Sequence, residues 1–236
     1  MSSSASKLLL LLLAVITLGA AKPQQQPYKA GEVITEKTVK QLGEMVFFTI
    51  SPISDDLFRQ MEGKSFKHNC STPRQQLRYL RCLHRDKEGH IIIGEMVVNR
   101  QIASDVLDIL RQLYQARYPI ERMMLIDHWD ADDQRAMSDN NSSSFNFRLI
   151  SHTQKVSKHG QGMAIDINPL YNPYHKRLKN GKEVVEPTSG KPYLNRNRQH
   201  PYIIRRGDLC YRLFKQKGFR WGGDWKTMKD YQHFEK

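Results

Sequence analysis

Ser157-Lys158-His159-Gly160-Gln161-Gly162-Met163-Ala164-Ile165-Asp166-Ile167-Asn168-Pro169 is a turn running into a strand. Gly160 and Gly162 flank a tight turn, because glycine enters conformations closed to other residues. Met163 to Asn168 then alternates with a period of two, sending Met163, Ile165 and Ile167 to a core and Ala164, Asp166 and Asn168 to the opposite face. A carboxylate beside a small alanine leaves that face polar and unobstructed. The glycine turn can bring His159 back over it, which would suit two ligands of one metal.

A second dense segment closes the chain. Gly218-Phe219-Arg220-Trp221-Gly222-Gly223-Asp224-Trp225 reads as a rigid turn against a cleft, and Asp230-Tyr231-Gln232-His233-Phe234-Glu235 follows it. Asp230 and His233, three apart, can reach one site from a turn that enters a strand. Outward from these segments, Leu77–His84 and His90–Val98 read as strands joined by the turn-rich Asp86–Gly89. Ile102, Val106, Ile109, Leu110 and Leu113 recur at helical spacing, with Pro119 marking the stop. Glu121–Asp127 and Phe145–Ile150 are further strand candidates. Residues 171–207, with four prolines and Asn180-Gly181, read as a long loop walling a cleft, and Asp208–Lys217 reads as a helix ended by Gly218. The pattern gives one α+β domain, a mostly antiparallel sheet with helices on one side.

At the N-terminus Lys7 precedes an apolar run, Leu8–Leu18, with Gly19-Ala20-Ala21 after it. Residues 1–21 therefore read as a cleaved signal peptide, 22–44 as a flexible leader and 45–236 as the domain. The expected location is secreted or periplasmic, with no transmembrane segment in the mature protein. The net charge of +13 becomes +12 once Lys7 is lost, a basic balance that suggests polyanionic surroundings: cell-wall polymers, anionic lipid or nucleic acid. Export argues against nucleic acid. Of the three cysteines, Cys70 and Cys82 could bridge in an oxidising compartment; equally, Cys82 and Cys210 could be small buried residues of a strand and a helix.

The chemistry of the two dense segments explains their residue types. Catalytic zinc takes three protein ligands from histidine and carboxylate, and a further carboxylate manages the proton of the attacking water. Two histidines and two aspartates fill those roles, and neither segment contains cysteine.

Ser157-x-His159-x-x-Gly162-x-Ala164-x-Asp166, followed by Asp230-x-x-His233, resembles the zinc D-Ala-D-Ala carboxypeptidase family. That family includes L-alanyl-D-glutamate endopeptidases and shares its fold with the hedgehog signalling domain. The resemblance is strong over residues 140–236 and thin before them. It implies Zn2+ held by His159, Asp166 and His233, with Asp230 as the catalytic carboxylate. It also offers Arg148 as a substrate-binding and oxyanion-steadying cation and Ser157 as a substrate contact, though Arg148 could be a surface residue and Ser157 could simply hold the turn. The implied substrates are peptidoglycan stem peptides. Asp at position 230 and the Trp221–Trp225 turn lean toward an L-Ala–D-Glu endopeptidase, with D-Ala-D-Ala carboxypeptidase as the alternative. A non-catalytic wall-binding or signalling module on the same fold, and a general secreted protease, are the competing classes. All four chemical residues are present, which weighs against the first of these.

Overall fold

The computed structural model describes residues 28–150 and 153–236; the expected signal peptide lies outside them. The long hairpin forms as its alternation requires. Strand β3 (Leu77–Arg85) pairs with β4 (Ile91–Asn99) in antiparallel register from Leu77↔Asn99 to Arg85↔Ile91. Asp86 closes the turn by accepting from the His90 backbone N–H at 2.9 Å. β1 (Val33–Ile34) flanks β4 and β2 (Thr49–Pro52) flanks β3, giving a four-stranded sheet in the order β1-β4-β3-β2.

The folded part therefore starts earlier than Met45. Besides β1, helix α1 (Glu36–Leu42) occupies the segment read as leader, and Ile34 and Val39 join the core. A two-residue strand and a two-turn helix are too short to show a period. Thr35, which accepts from the Thr38 backbone N–H at 3.1 Å, was the local signal for that helix. Helix α2 (Asp55–Met61) packs its Met61 with Leu77, Val97 and Phe145 in a smaller cluster.

Helix α3 (Ala103–Gln115) buries Val106, Ile109, Leu110 and Leu113 against β3, as the spacing predicts. After the short α4 (Asp133–Ser138) and β5 (Ala164–Asp166), helix α5 (Leu209–Gln216) packs on α3, so the two longest helices meet in the main core. Phe214 of α5 stacks on Phe234 at 4.1 Å between centroids, tying this core to the end of the chain.

Two expected strands are not regular strands. Residues 121–127 and 145–150 run through isolated bridges, Arg122↔Asn141 and Leu149↔Val156 among them. Polar side chains stand in for ladder partners: Asn141 Oδ1 accepts from Met124 N–H at 2.9 Å, and Asn168 Oδ1 accepts from Glu121 N–H at 3.1 Å. Conversely, the stretch read as loop contains a hairpin, β6 (Tyr174–Arg177) with β7 (Glu183–Glu186). Its residues are half exposed, so they carry no apolar alternation to read. Arg196 anchors the remainder, donating to the Tyr171 and Ile204 carbonyls and to Asn172 Oδ1, with its guanidinium 4.2 Å from the Tyr231 ring centre. All three cysteines are free; Cys82 and Cys210 are buried in β3 and α5, and the Cys70 thiol faces the Thr72 carbonyl instead of forming a bridge.

The last strands, β8 (Arg220–Trp221), β9 (Lys229–Asp230) and β10 (His233–Glu235), build two small sheets. β10 lies between β5 and β8, and β9 pairs with β6. The described residues form an α+β structure with antiparallel sheets throughout, although three small sheets replace the single one expected.

Candidate metal centre

Strand register assembles the site. β5 and β10 are antiparallel with His233 directly opposite Asp166, and cross-strand neighbours of this kind have Cβ atoms about 5 Å apart. Ile165 and Ile167 enter the core as the alternation requires, leaving Asp166 on the other face. The turn then delivers His159. Ser157 Oγ accepts from Gly160 N–H at 3.0 Å, and the His159 carbonyl accepts from Gly162 N–H at 2.9 Å. Gly162 has φ +68°, and a Cβ there would come within 2.8 Å of Asn99 N, whose N–H donates to the Gly162 carbonyl. The end of the long hairpin is thus docked against this turn, at a place only glycine allows.

Three side chains converge. His159 Nε2 lies 3.2 Å from Asp166 Oδ2 and 3.0 Å from His233 Nδ1, and His233 Nδ1 lies 3.1 Å from Asp166 Oδ1. All three residues are buried. The far side of each imidazole is occupied: His159 Nδ1 donates to the Ser144 carbonyl at 2.7 Å, and His233 Nε2 faces Glu235 Oε2 at 3.3 Å. A carbonyl can only accept, so the proton of His159 sits on Nδ1 and Nε2 turns a lone pair inward.

Electrostatics follow this packing. Burial alone would raise the Asp166 carboxyl, but His159 and His233 outweigh it and hold it far below the usual range. Burial works against a charged His233, yet Asp166 and Glu235 lift it to about 10. His159 Nε2, His233 Nδ1 and the Asp166 carboxylate, two imidazole nitrogens and an anion gathered at one point, form a donor set suited to Zn2+. The residues fit that ion.

Asp230 completes the group. It closes β9, opposite Tyr174 of the hairpin. Its Oδ1 is fully enclosed without a hydrogen-bond partner. Burial, with Asp166 adding to it, pushes its pKa up to about 6 against the opposing pull of the histidines. The Gly-Gly pair has a steric reason: a Cβ on Gly222 would lie 2.5 Å from the Asp230 carbonyl oxygen, and one on Gly223 would overlap the Trp221 ring.

Arg148 donates through Nε to Asp133 Oδ2 at 2.8 Å, and its carbonyl accepts from Ser157 N–H at 2.9 Å, so it borders the turn already partnered. Glu235, Trp225 (ring centre 5.4 Å from that of His233) and the Ser144 carbonyl were not anticipated. Glu235 was legible as a residue two places from His233 in a strand, hence on its face; a backbone carbonyl leaves no sequence signal.

No solved structure matches the chain. A family model described as D-alanyl-D-alanine carboxypeptidase matches residues 151–236, the stretch that holds both dense motifs. The match supports, for the C-terminal part of the chain, the resemblance to the zinc D-Ala-D-Ala carboxypeptidase family drawn from those motifs.

Proposed function

We propose that the chain is an exported zinc metallopeptidase that hydrolyses peptide bonds in peptidoglycan stems. The observation that carries this reading is the buried His159–Asp166–His233 donor set together with Asp230, whose enclosed carboxylate interacts electrostatically with all three. In this proposal His159 Nε2, the Asp166 carboxylate and His233 Nδ1 hold Zn2+. Zinc supplies Lewis acidity there, polarising the scissile carbonyl and acidifying water. Asp230 takes the proton of the attacking water and returns it to the leaving amine. Arg148 steadies the developing oxyanion, its guanidinium held in place by Asp133. Ser157 serves by holding the His159 turn.

Residues 1–21 act as the export signal in this reading, and the basic surface favours anionic wall polymers. Among the described residues no helix is long and apolar enough to cross a membrane. The bond proposed is internal, of the L-Ala–D-Glu type. The Asp230-x-x-His233 form and the Trp221–Trp225 turn support it, since they resemble the endopeptidase branch more closely. D-Ala-D-Ala carboxypeptidase is the second reading, favoured by the β6–β7 hairpin, which borders Asp230 and can close one end of a cleft. Digesting peptidoglycan with zinc-loaded protein and identifying the fragments by mass spectrometry tests both. Cleavage that survives amidation of the stem's C-terminal carboxylate is expected. Release of free D-Ala that the amide abolishes would establish the second reading, and intact stems would overturn both.

A further inference from the structure

We propose that Glu235 is the positioning residue of His233, anchored in turn by Arg220, so that a line of charge crosses the three-stranded sheet behind the metal centre. The inference rests on the zinc reading above. β10 is the middle strand, and His233 and Glu235, two residues apart, share its polar face while Phe234 is buried in the core between them. Each makes an in-register partnership with a different neighbour. His233 lies opposite Asp166 on β5, and Glu235 lies opposite Arg220 on β8. Arg220 Nη2 donates to Glu235 Oε1 at 2.6 Å, leaving Oε2 to face His233 Nε2 at 3.3 Å.

The exposures separate the two members of this pair. Arg220 is 69% exposed while Glu235 is 13% exposed, so Glu235 is the inner group and Arg220 its solvent-side anchor. On the other flank Glu235 lies opposite Ala164, whose single methyl leaves room on that face; this gives the small residue between His159 and Asp166 a physical reason. The two histidines are thus held by different devices. His159 is fixed by the Ser144 backbone, and His233 by a side chain that can be changed. A carboxylate accepting from the outer nitrogen sets the tautomer, presents the inner lone pair and raises its basicity; losing such a group typically costs about 10- to 100-fold in metal affinity.

The test is zinc affinity by chelator competition, with nitrogen NMR of the His233 ring in the metal-free protein. Glu235→Ala should weaken zinc binding by roughly 10- to 100-fold and release the Nε2 proton from its fixed hydrogen bond. Glu235→Gln, which keeps an acceptor and the shape, should recover part of the loss, and it replaces the alanine variant should that one not fold. Wild-type zinc affinity in either folded variant, with an unchanged His233 ring signal, would overturn the proposal. A wild-type protein that binds no zinc would instead refute the metal reading, and the ring signal alone would then decide whether Glu235 fixes His233.

Discussion

His84 and His159 are both buried, and each donates Nδ1–H to a backbone carbonyl at 2.7 Å, Ile120 for the first and Ser144 for the second. They sit in different regions: His84 on β3 of the four-stranded sheet, His159 in the turn before β5. What lies beyond the other ring nitrogen separates them. His84 Nε2 has no partner. Its ring packs into the space left by Gly94, where a Cβ would be 3.0 Å from its Cδ2, 3.1 Å from Cys82 Sγ and 3.2 Å from Met123 Sδ. Burial lowers its pKa to about 4, so it stays neutral and behaves as core packing. His159 Nε2 instead meets Asp166 and a second imidazole. Burial and a fixed tautomer are common to both regions; only the second places opposed charge and further donors at the open nitrogen.

The largest expected effect sharpens the C-terminal side of this contrast. Asp230→Asn should lower turnover by on the order of 100- to 10,000-fold while zinc content, read by elemental analysis, stays whole. Loss of metal in that variant would make Asp230 a ligand. His159→Ala should lose zinc, whereas His84→Ala should keep it and lose about 2–4 kcal/mol of stability in urea unfolding. Equal zinc in both would erase the distinction between the regions.

Glycines give a paired test of intermediate size. Gly222→Ala places a Cβ 2.7 Å from Asp230 Cβ and should cost about 100-fold in turnover by displacing the carboxylate, with zinc retained. Gly94→Ala crowds His84, Cys82 and Met123, and should cost about 1–3 kcal/mol of stability with turnover little changed. A catalytic defect in the Gly94 variant larger than in the Gly222 variant would reverse the assignment of roles.

The smallest effect concerns pH. His84 titrates near 4 when folded and about 6.5 when unfolded, so between those values the unfolded chain binds more protons. Its neutral burial therefore costs no stability above pH 6.5. Stability falls as pH drops from there toward 4, by on the order of 3 kcal/mol at most. Urea unfolding of the metal-free protein from pH 7 to 4 should show a shallower slope in His84→Gln than in the wild type. Identical slopes would mean that His84 does not titrate as a buried neutral group.

Where residues carry a strong period, the reading and the structure agree. The long hairpin, α3 and α5 follow from apolar spacing, and the alternation from Met163 to Asn168 correctly sends Ile165 and Ile167 inward. Weak periods misled. Phe145–Ile150 read as a strand candidate, but its backbone N–H groups bond to carbonyls scattered over the chain, Phe145 to Val97, Asn146 to His159 and Phe147 to Ser65, so no single partner strand forms a ladder with it. The β6–β7 hairpin was invisible because Tyr174-His175-Lys176-Arg177 is held by backbone pairing at a half-exposed position.

The chain by itself determined the α+β class and marked the four residues of the proposed metal centre, because glycine turns, alternation and the pairing of histidine with aspartate are local properties of neighbouring residues. Tertiary structure alone decided that His233 stands opposite Asp166 and that the Ser144 carbonyl turns His159 inward. Those relations join residues as many as 67 positions apart. They depend on strand register and backbone atoms, which leave no mark on residue identity until the chain is folded.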